Sequence, residues 1–263
     1  PLRVDLRDAV PRDVAAHLRR EPARLLAPDA RRRALVAGRP GRVEEALQDL
    51  GIPVFHDDQH GTAIVVMAAL INAAKVVNKE LSSLKVVING SGAAGIAITK
   101  LLSCVGQEAT QCSSLENILV CDSKGIISKD RSDLNDYKKQ LLLYTNKENV
   151  KGTLADALVG ADCFIGVSKG NSLTKDHIAS MTPDPIIFAL ANPIPEIMPD
   201  EALDAGAKVV GTGRSDFPNQ INNVLVFPGI FKGAIDSGAT VITSLMKITA
   251  AHAIANMVTH PTT

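Results

Sequence analysis

Three groups of residues in this chain have types and spacings that could do chemistry. The first is Gly90-Ser91-Gly92-Ala93-Ala94-Gly95, which follows the apolar run Val86-Val87-Ile88 and precedes a helix-favouring segment from Ile96 to Leu102. Strand, glycine turn and helix in that order suit a dinucleotide pyrophosphate. Gly90 permits the tight turn, Gly92 lets the backbone approach the phosphates, and Gly95 lets helix and strand pack closely. The first amides of the helix, with its dipole behind them, face the anion. A second apolar run, Ile118-Leu119-Val120-Cys121, ends in Asp122, placed to accept from a ribose hydroxyl. Its charge favours NAD by repelling a 2′-phosphate, and Lys124 could offset that. The competing reading is a glycine-rich turn with no ligand.

The second group is His56-Asp57-Asp58-Gln59-His60-Gly61-Thr62. On extended chain, adjacent carboxylates point in opposite directions, so one cation would take chiefly one of them. Mg²⁺ or Mn²⁺ wants several oxygens, and a lone Asp is an incomplete site. His56 and His60, with an acid after the first, superficially resemble a helical zinc pattern. That pattern needs unbroken helix, and Pro53 and Gly61 argue against it. The plainer reading is Asp as a helix cap and His as ordinary polar residues. The third group is Asn192 and Asn222-Asn223, whose amides donate and accept without charge and so suit a carboxylate beside a nicotinamide. Each could instead be a turn residue.

The elements that must position these groups are legible in outline. Apolar runs at 86–88, 118–121, 163–167, 186–190 and 208–211 lack alternation and are separated by helical segments. That pattern predicts an α/β fold, a doubly wound parallel sheet covered on both faces. Ligands in such sheets bind beyond the carboxyl ends of the strands, where the glycine turn, Asp122, Gly166 to Ser168, Asn192 and residues 213–223 all fall. A helix over 63–78, capped by Thr62, is apolar nearly all round and therefore buried. After a polar stretch come an amphipathic helix near 137–143 and a short helix opened by Thr153. Phe227-Pro228-Gly229 opens another, and a last helix spans 244–258.

The 28 basic residues balance 28 acidic ones, so no global field points to nucleic acid or membrane. Aromatics make up only 3% of the chain, which argues against a base-stacking surface. No apolar run approaches the roughly 20 residues needed to span a bilayer. The balance hides a division. Residues 1–42 hold eleven Arg and no Lys against five acids, whereas only Arg131 and Arg214 follow, beside all fifteen Lys. So abrupt a switch points to two origins for the chain, a fusion or a misread start. The segment at 1–43 is expected to be helical in part and receives no function; 44–263 is expected to form the nucleotide-binding domain. Cys104, Cys112, Cys121 and Cys163 form no C-x-x-C pair and are expected to be free thiols in a reducing cytoplasm.

Five ordered motifs resemble the bacterial-type malic enzymes: HDDQHGT at 56–62, GSGAAG at 90–95, FALANPIPEI at 188–197, GTGRSDFPNQINNV at 211–224 and FPGIFKGA at 227–234. The resemblance covers about 44–257. It implies a Rossmann-like NAD(P)-binding domain and oxidative decarboxylation of malate with NAD or NADP and Mg²⁺ or Mn²⁺. It also implies a cytoplasmic homo-oligomer, a dimer or larger. On that resemblance Asp58 is a metal ligand with Asp57 beside it, and Ser91, Gly92, Ala93 and Ala94 form the pyrophosphate turn. Ser168 and Asn192 lie at the cofactor; Asn192, Asn222 and Asn223 contact substrate. The family also has an N-terminal domain with a catalytic Lys, a catalytic Tyr and further metal carboxylates. Residues 1–42 do not match it and hold neither Lys nor Tyr. No catalytic residue is identified, and the chain alone is expected to bind dinucleotide but to turn malate over poorly or not at all. The alternative is a non-catalytic dinucleotide-binding module.

Overall fold

The computed structural model describes Leu47, residues 51–106, Cys112 and residues 114–263. The segment at 1–43, and the helix expected near 44–50 apart from Leu47, lie outside the described residues. Two compact units are present, one built from Asp57–Val226 with Ser244–Thr263, the other including residues 51–56 and 227–243. In the smaller unit, helix α7 (Phe227–Asp236) sets Phe231 edge-on against Phe55, with ring centroids 5.8 Å apart.

The larger unit is organised by a six-stranded sheet. Strands β1 (Lys85–Asn89), β2 (Asn117–Asp122), β4 (Cys163–Gly166), β5 (Ile186–Ala189) and β6 (Val209–Thr212) are almost wholly buried, as unbroken apolar runs require when both faces are covered. They are parallel. Strand β3 (Gly125–Ile126) is short and runs antiparallel to β2, and the order is β3-β2-β1-β4-β5-β6. Succession reverses between β1 and β4, which makes the crevice at their carboxyl ends the ligand-binding position of the fold. Pairing of Asn89 with both Cys121 and Gly166 brings the three strand ends level.

One rung of side chains shows how the sheet is held. Val87 pairs with Leu119 and Phe164, Phe164 with Ile187, and Ile187 with Val210. All five enter one core cluster, closed by Ala157 and Leu158 of α4 (Leu154–Leu158), Ile178 of α5 (Lys175–Ala179) and Ala202 of α6 (Pro199–Asp204). Helix α1 (Thr62–Val76) packs against α2 (Ala93–Leu102) and against α8 (Ser244–Asn256), whose Ala255 carbonyl accepts from Asn72 Nδ2 at 3.0 Å. Helix α3 (Asp136–Leu141) also lies against α2, its start capped by the Asn135 side chain.

The doubly wound sheet is as expected, and three local expectations are corrected. The polar stretch after Asp122 hides β3, whose Gly125 has φ +105° and lies so close to the Gly152 carbonyl that a Cβ would stand 2.2 Å from it. Asp57 and Asp58 are not on extended chain: Asp57–Gly61 forms a π-helical turn running straight into α1, so Gly61, not Thr62, stands at the cap position. Cys104 and Cys112 are joined as a disulfide, because the chain beyond α2 brings their Cα atoms to 5.8 Å, within the reach of that bond. Cys121 and Cys163 are free and buried, and burial pushes the Cys121 thiol up to about 12. No helix among the described residues is long and apolar enough to cross a membrane.

Candidate functional site

The glycine turn owes its shape to backbone packed on backbone. Gly90 has φ +132°, and a Cβ there would stand 2.7 Å from the Val167 carbonyl oxygen. A Cβ on Gly95 would stand 1.8 Å from the Gly90 carbonyl oxygen. The end of β1, the first turn of α2 and the loop after β4 are thereby held at distances only glycine allows. Gly92 takes the N-cap position with extended backbone and no side-chain cap, so the leading amides of α2 are not satisfied by a capping oxygen. A Cβ on Gly92 would meet nothing within 4 Å. Gly92 and Ala93 are exposed, Ser91 and Ala94 half-buried. A cradle of amides at the positive end of a ten-residue helix fits a diphosphate.

Glu196 ties together the loops that follow β4 and β5, the first of which abuts the glycine turn at Val167. Its Oε1 accepts from the Ser168 amide at 3.2 Å and its Oε2 from the Ala191 amide at 3.0 Å. The Leu173 amide donates to the Glu196 carbonyl at 3.0 Å, and the Asn171 amide to that of Pro195. The carboxyl lies against Gly166, where a Cβ would stand 2.2 Å from Glu196 Cδ. Burial pushes the Glu196 carboxyl up, and the amide bonds only partly oppose it. Ser168 and Asn192, the exposed residues expected at the cofactor, are presented on these two braced loops. Glu196 itself was invisible as a site residue in the sequence. Its only signal is an acid set within the apolar stretch Ile194-Pro195-Glu196-Ile197.

Asp122 closes β2 as expected, but its carboxylate is fully engaged. Oδ1 accepts from Arg131 Nη1 at 2.8 Å and from the Lys124 amide at 2.9 Å. Oδ2 accepts from Arg131 Nη2 at 3.0 Å and from Lys138 Nζ. Burial alone would raise this carboxyl, yet the bonds from Arg131 and Lys138 outweigh it and hold it at about 2. Arg131 also grips Asp133 with Nε and Nη2, at 3.0 and 2.8 Å. The isolation of Arg131 in a long lysine-using region was the one sequence signal for this network.

The third group comes together in part. Asn223 Nδ2 donates to Asp57 Oδ2 at 2.6 Å, although 166 residues separate them. The Asp57 carboxylate overlies Gly61, where a Cβ would stand 2.2 Å from Oδ1. Asn222 braces its own loop, accepting from the Val224 amide at 2.9 Å and donating to the Gly213 carbonyl at 3.3 Å. Asp58 is exposed. No group of three or more His, Cys, Asp or Glu side chains among the described residues is arranged to hold a metal ion. Two neighbouring carboxylates, one of them bound by an amide, fall short of the six oxygens a hard divalent ion wants. The described residues therefore fit a dinucleotide and do not by themselves complete a cation site.

Residues 59–263 match the family model described as malic enzyme, NAD binding domain. The chain belongs to the malic enzyme family. It is 56% identical over 218 residues to the bifunctional malic/malolactic enzyme of Bacillus subtilis, covering 82% of this chain and 51% of that protein. It is 51% identical over 212 residues to the NAD-dependent malic enzyme of Geobacillus stearothermophilus, covering 81% and 42%. Among solved structures, the NAD-dependent malic enzyme of Thermotoga maritima superposes with TM-score 0.77 at 47% identity, over 83% of this chain and 56% of that one. The chain thus spans about half the length of these relatives, and less of the longer malic enzymes it also matches. The matched half is the nucleotide-binding one, and both the glycine turn and the Glu196 brace fall inside it.

Proposed function

We propose that this chain forms the dinucleotide half of a malate dehydrogenase of the decarboxylating kind, converting malate to pyruvate and CO₂ with NAD or NADP. The observation that carries the reading is the amide cradle at Gly90 to Gly95, placed at the switch point between β1 and β4. When bound, the nicotinamide cofactor supplies the acceptor for a hydride from C2 of the substrate. Gly92, Ala93 and Ala94 hold the diphosphate through backbone amides, with Ser91 beside them. Ser168 and Asn192, fixed through Glu196, border the nicotinamide end. Asn192 and Asn223 offer amides to the substrate carboxylates, and Asn222 keeps that loop in place through its bonds to Val224 and Gly213. Asp58 and Asp57 are the oxygen donors this chain would contribute to Mg²⁺ or Mn²⁺. The remaining ligands, and the Lys and Tyr that move protons in the family, have no counterpart assigned in this chain. The reading places the protein in the cytoplasm as a homo-oligomer.

The test has two parts. Titration with NADH and NADPH, followed by the fluorescence of the bound nicotinamide, should saturate. A steady-state assay with malate, Mn²⁺ and either cofactor should give little or no turnover by this chain alone. Absence of any nucleotide binding would remove the reading. Turnover at the rate of a full-length family member would show that the proton-transfer groups are present after all.

A further inference from the structure

Helix α2 ends in a tight turn in which the Cys104 amide donates to the Leu101 carbonyl and the Val105 amide to that of Lys100. Cys104 has left-handed backbone there, φ +52°, a conformation that glycine usually supplies at a helix end. A residue with a Cβ is disfavoured in it, so local preference does not account for the cysteine. What the position gains is a partner. Cys104 is bonded to Cys112, eight residues on, and both are buried, at 8% and 7% exposure. The Leu115 amide also donates to the Leu102 carbonyl at 3.0 Å, so the disulfide is a second tie between the end of α2 and the chain that enters β2.

Cys104 also lines a cavity of about 130 Å³ formed by residues of α1, α2 and α8. Lys100, Lys247 and His60 stand in its wall; among the described residues no acid does, nor does Cys112. The cavity meets solvent at Lys100 and Ser244, both exposed. It has room for the thiol end of a small molecule and not for a protein. Cationic walls draw in anions, and exchange at a disulfide requires that a thiolate reach one of its sulfurs. Cys121 and Cys163 lie in the core, where burial pushes both thiols up and keeps them protonated and out of such exchange.

We propose that Cys104 and Cys112 are a reversible redox pair, opened by a small anionic thiol that enters this cavity and attacks Cys104. The incoming thiolate forms a bond to Cys104 Sγ as the Cys104–Cys112 bond breaks, and Cys112 leaves as a thiolate that takes a proton from water. A second thiolate then attacks the reductant's sulfur, which releases Cys104 and yields the reductant's own disulfide. Two electrons pass to the protein, and two reductant thiols are oxidised; the disulfide of the same small thiol drives the reverse. The pair lies at the opposite end of α2 from the glycine turn and works whether or not a nucleotide binds.

The test equilibrates the full chain in mixtures of reduced and oxidised glutathione, traps thiols by alkylation and locates them by peptide mass. The bonded fraction should follow the mixture and reach one value from either side, with Cys121 and Cys163 remaining thiols throughout. Reduced protein should melt at a lower temperature than oxidised protein, a difference that Cys112→Ser abolishes. Cys112→Ser should also take one glutathione, on Cys104, from oxidised glutathione. Lys100→Ala, at an exposed position, should slow reduction by glutathione about threefold or more, and reduction by the zwitterionic thiol cysteamine by less than about twofold. A bond that survives excess reduced glutathione, or thiols that stay free in excess oxidised glutathione, would overturn the redox pair. No adduct on Cys104 in Cys112→Ser, or the same effect of Lys100→Ala on both reductants, would overturn the route through the cavity.

Discussion

Gly95 carries the tightest steric demand in the glycine turn. Gly95→Ala would drive a methyl group into the Gly90 carbonyl, where backbone cannot yield cheaply. Overpacking of this kind costs about 1–3 kcal/mol, so thermal unfolding should move down and nucleotide affinity should fall together. Glu196 makes a different kind of demand. Glu196→Ala leaves the Ser168 and Ala191 amides without their acceptor, at about 1–3 kcal/mol, measurable by urea unfolding. The two acids also give opposite pH dependences. The Asp122 carboxyl sits below its ordinary value of 3.8, so its contribution to stability is present above about pH 4 and is lost as pH falls toward 2. The Glu196 carboxyl sits above its ordinary 4.5, so its contribution is present at lower pH and is lost as pH rises through the raised value. Asp122→Asn should flatten the acid limb of a stability profile, and Glu196→Gln should flatten the limb above it. Unchanged profiles in both variants would contradict these environments.

At the scale of elements, the sheet was the most legible part of the sequence. Apolar runs without alternation admit little besides buried parallel strands, and each of the five anticipated runs forms one. What escaped reading was set by partners distant in the chain. Strand β3 has two residues and no periodicity, and it exists because Gly125 and Ile126 meet the end of β2. The turn at Asp57 to Gly61 looked broken because Pro53 and Gly61 flank it, yet Gly61 is there to let the Asp57 carboxylate lie across it. The filling of Asp122 depended on residues nine and sixteen positions away, whose convergence only the fold decides. The disulfide joined two cysteines eight apart in no recognised motif. Phe164 offers a test of the central rung. It is fully buried between Val87 and Ile187, so Phe164→Ala should cost about 3–5 kcal/mol in chemical denaturation. A loss below about 1 kcal/mol would mean that the rung is not the core of the sheet.

For the molecule as a whole, the matched region fixes the family. Within the candidate site, the order strand, glycine turn, helix could be read from spacing, whereas the Glu196 brace and the Arg131 network could not, because their partners lie far apart in the chain. The chain spans about half the length of the Bacillus and Geobacillus relatives, and no group of three or more His, Cys, Asp or Glu side chains among the described residues is arranged for a metal ion. Nucleotide binding, on which the proposed function rests, is the property to measure first. The most direct measurement is calorimetric titration of the full chain and of Gly92→Asp with NADPH. At Gly92 a Cβ would meet no atom within 4 Å, so the variant should fold as wild type does, yet its carboxylate would stand beside the amides proposed to hold the diphosphate. Wild type should bind, and Gly92→Asp should lose affinity by about a hundredfold or more at unchanged melting temperature. Equal affinity in the two proteins would contradict the placement of the diphosphate on that turn.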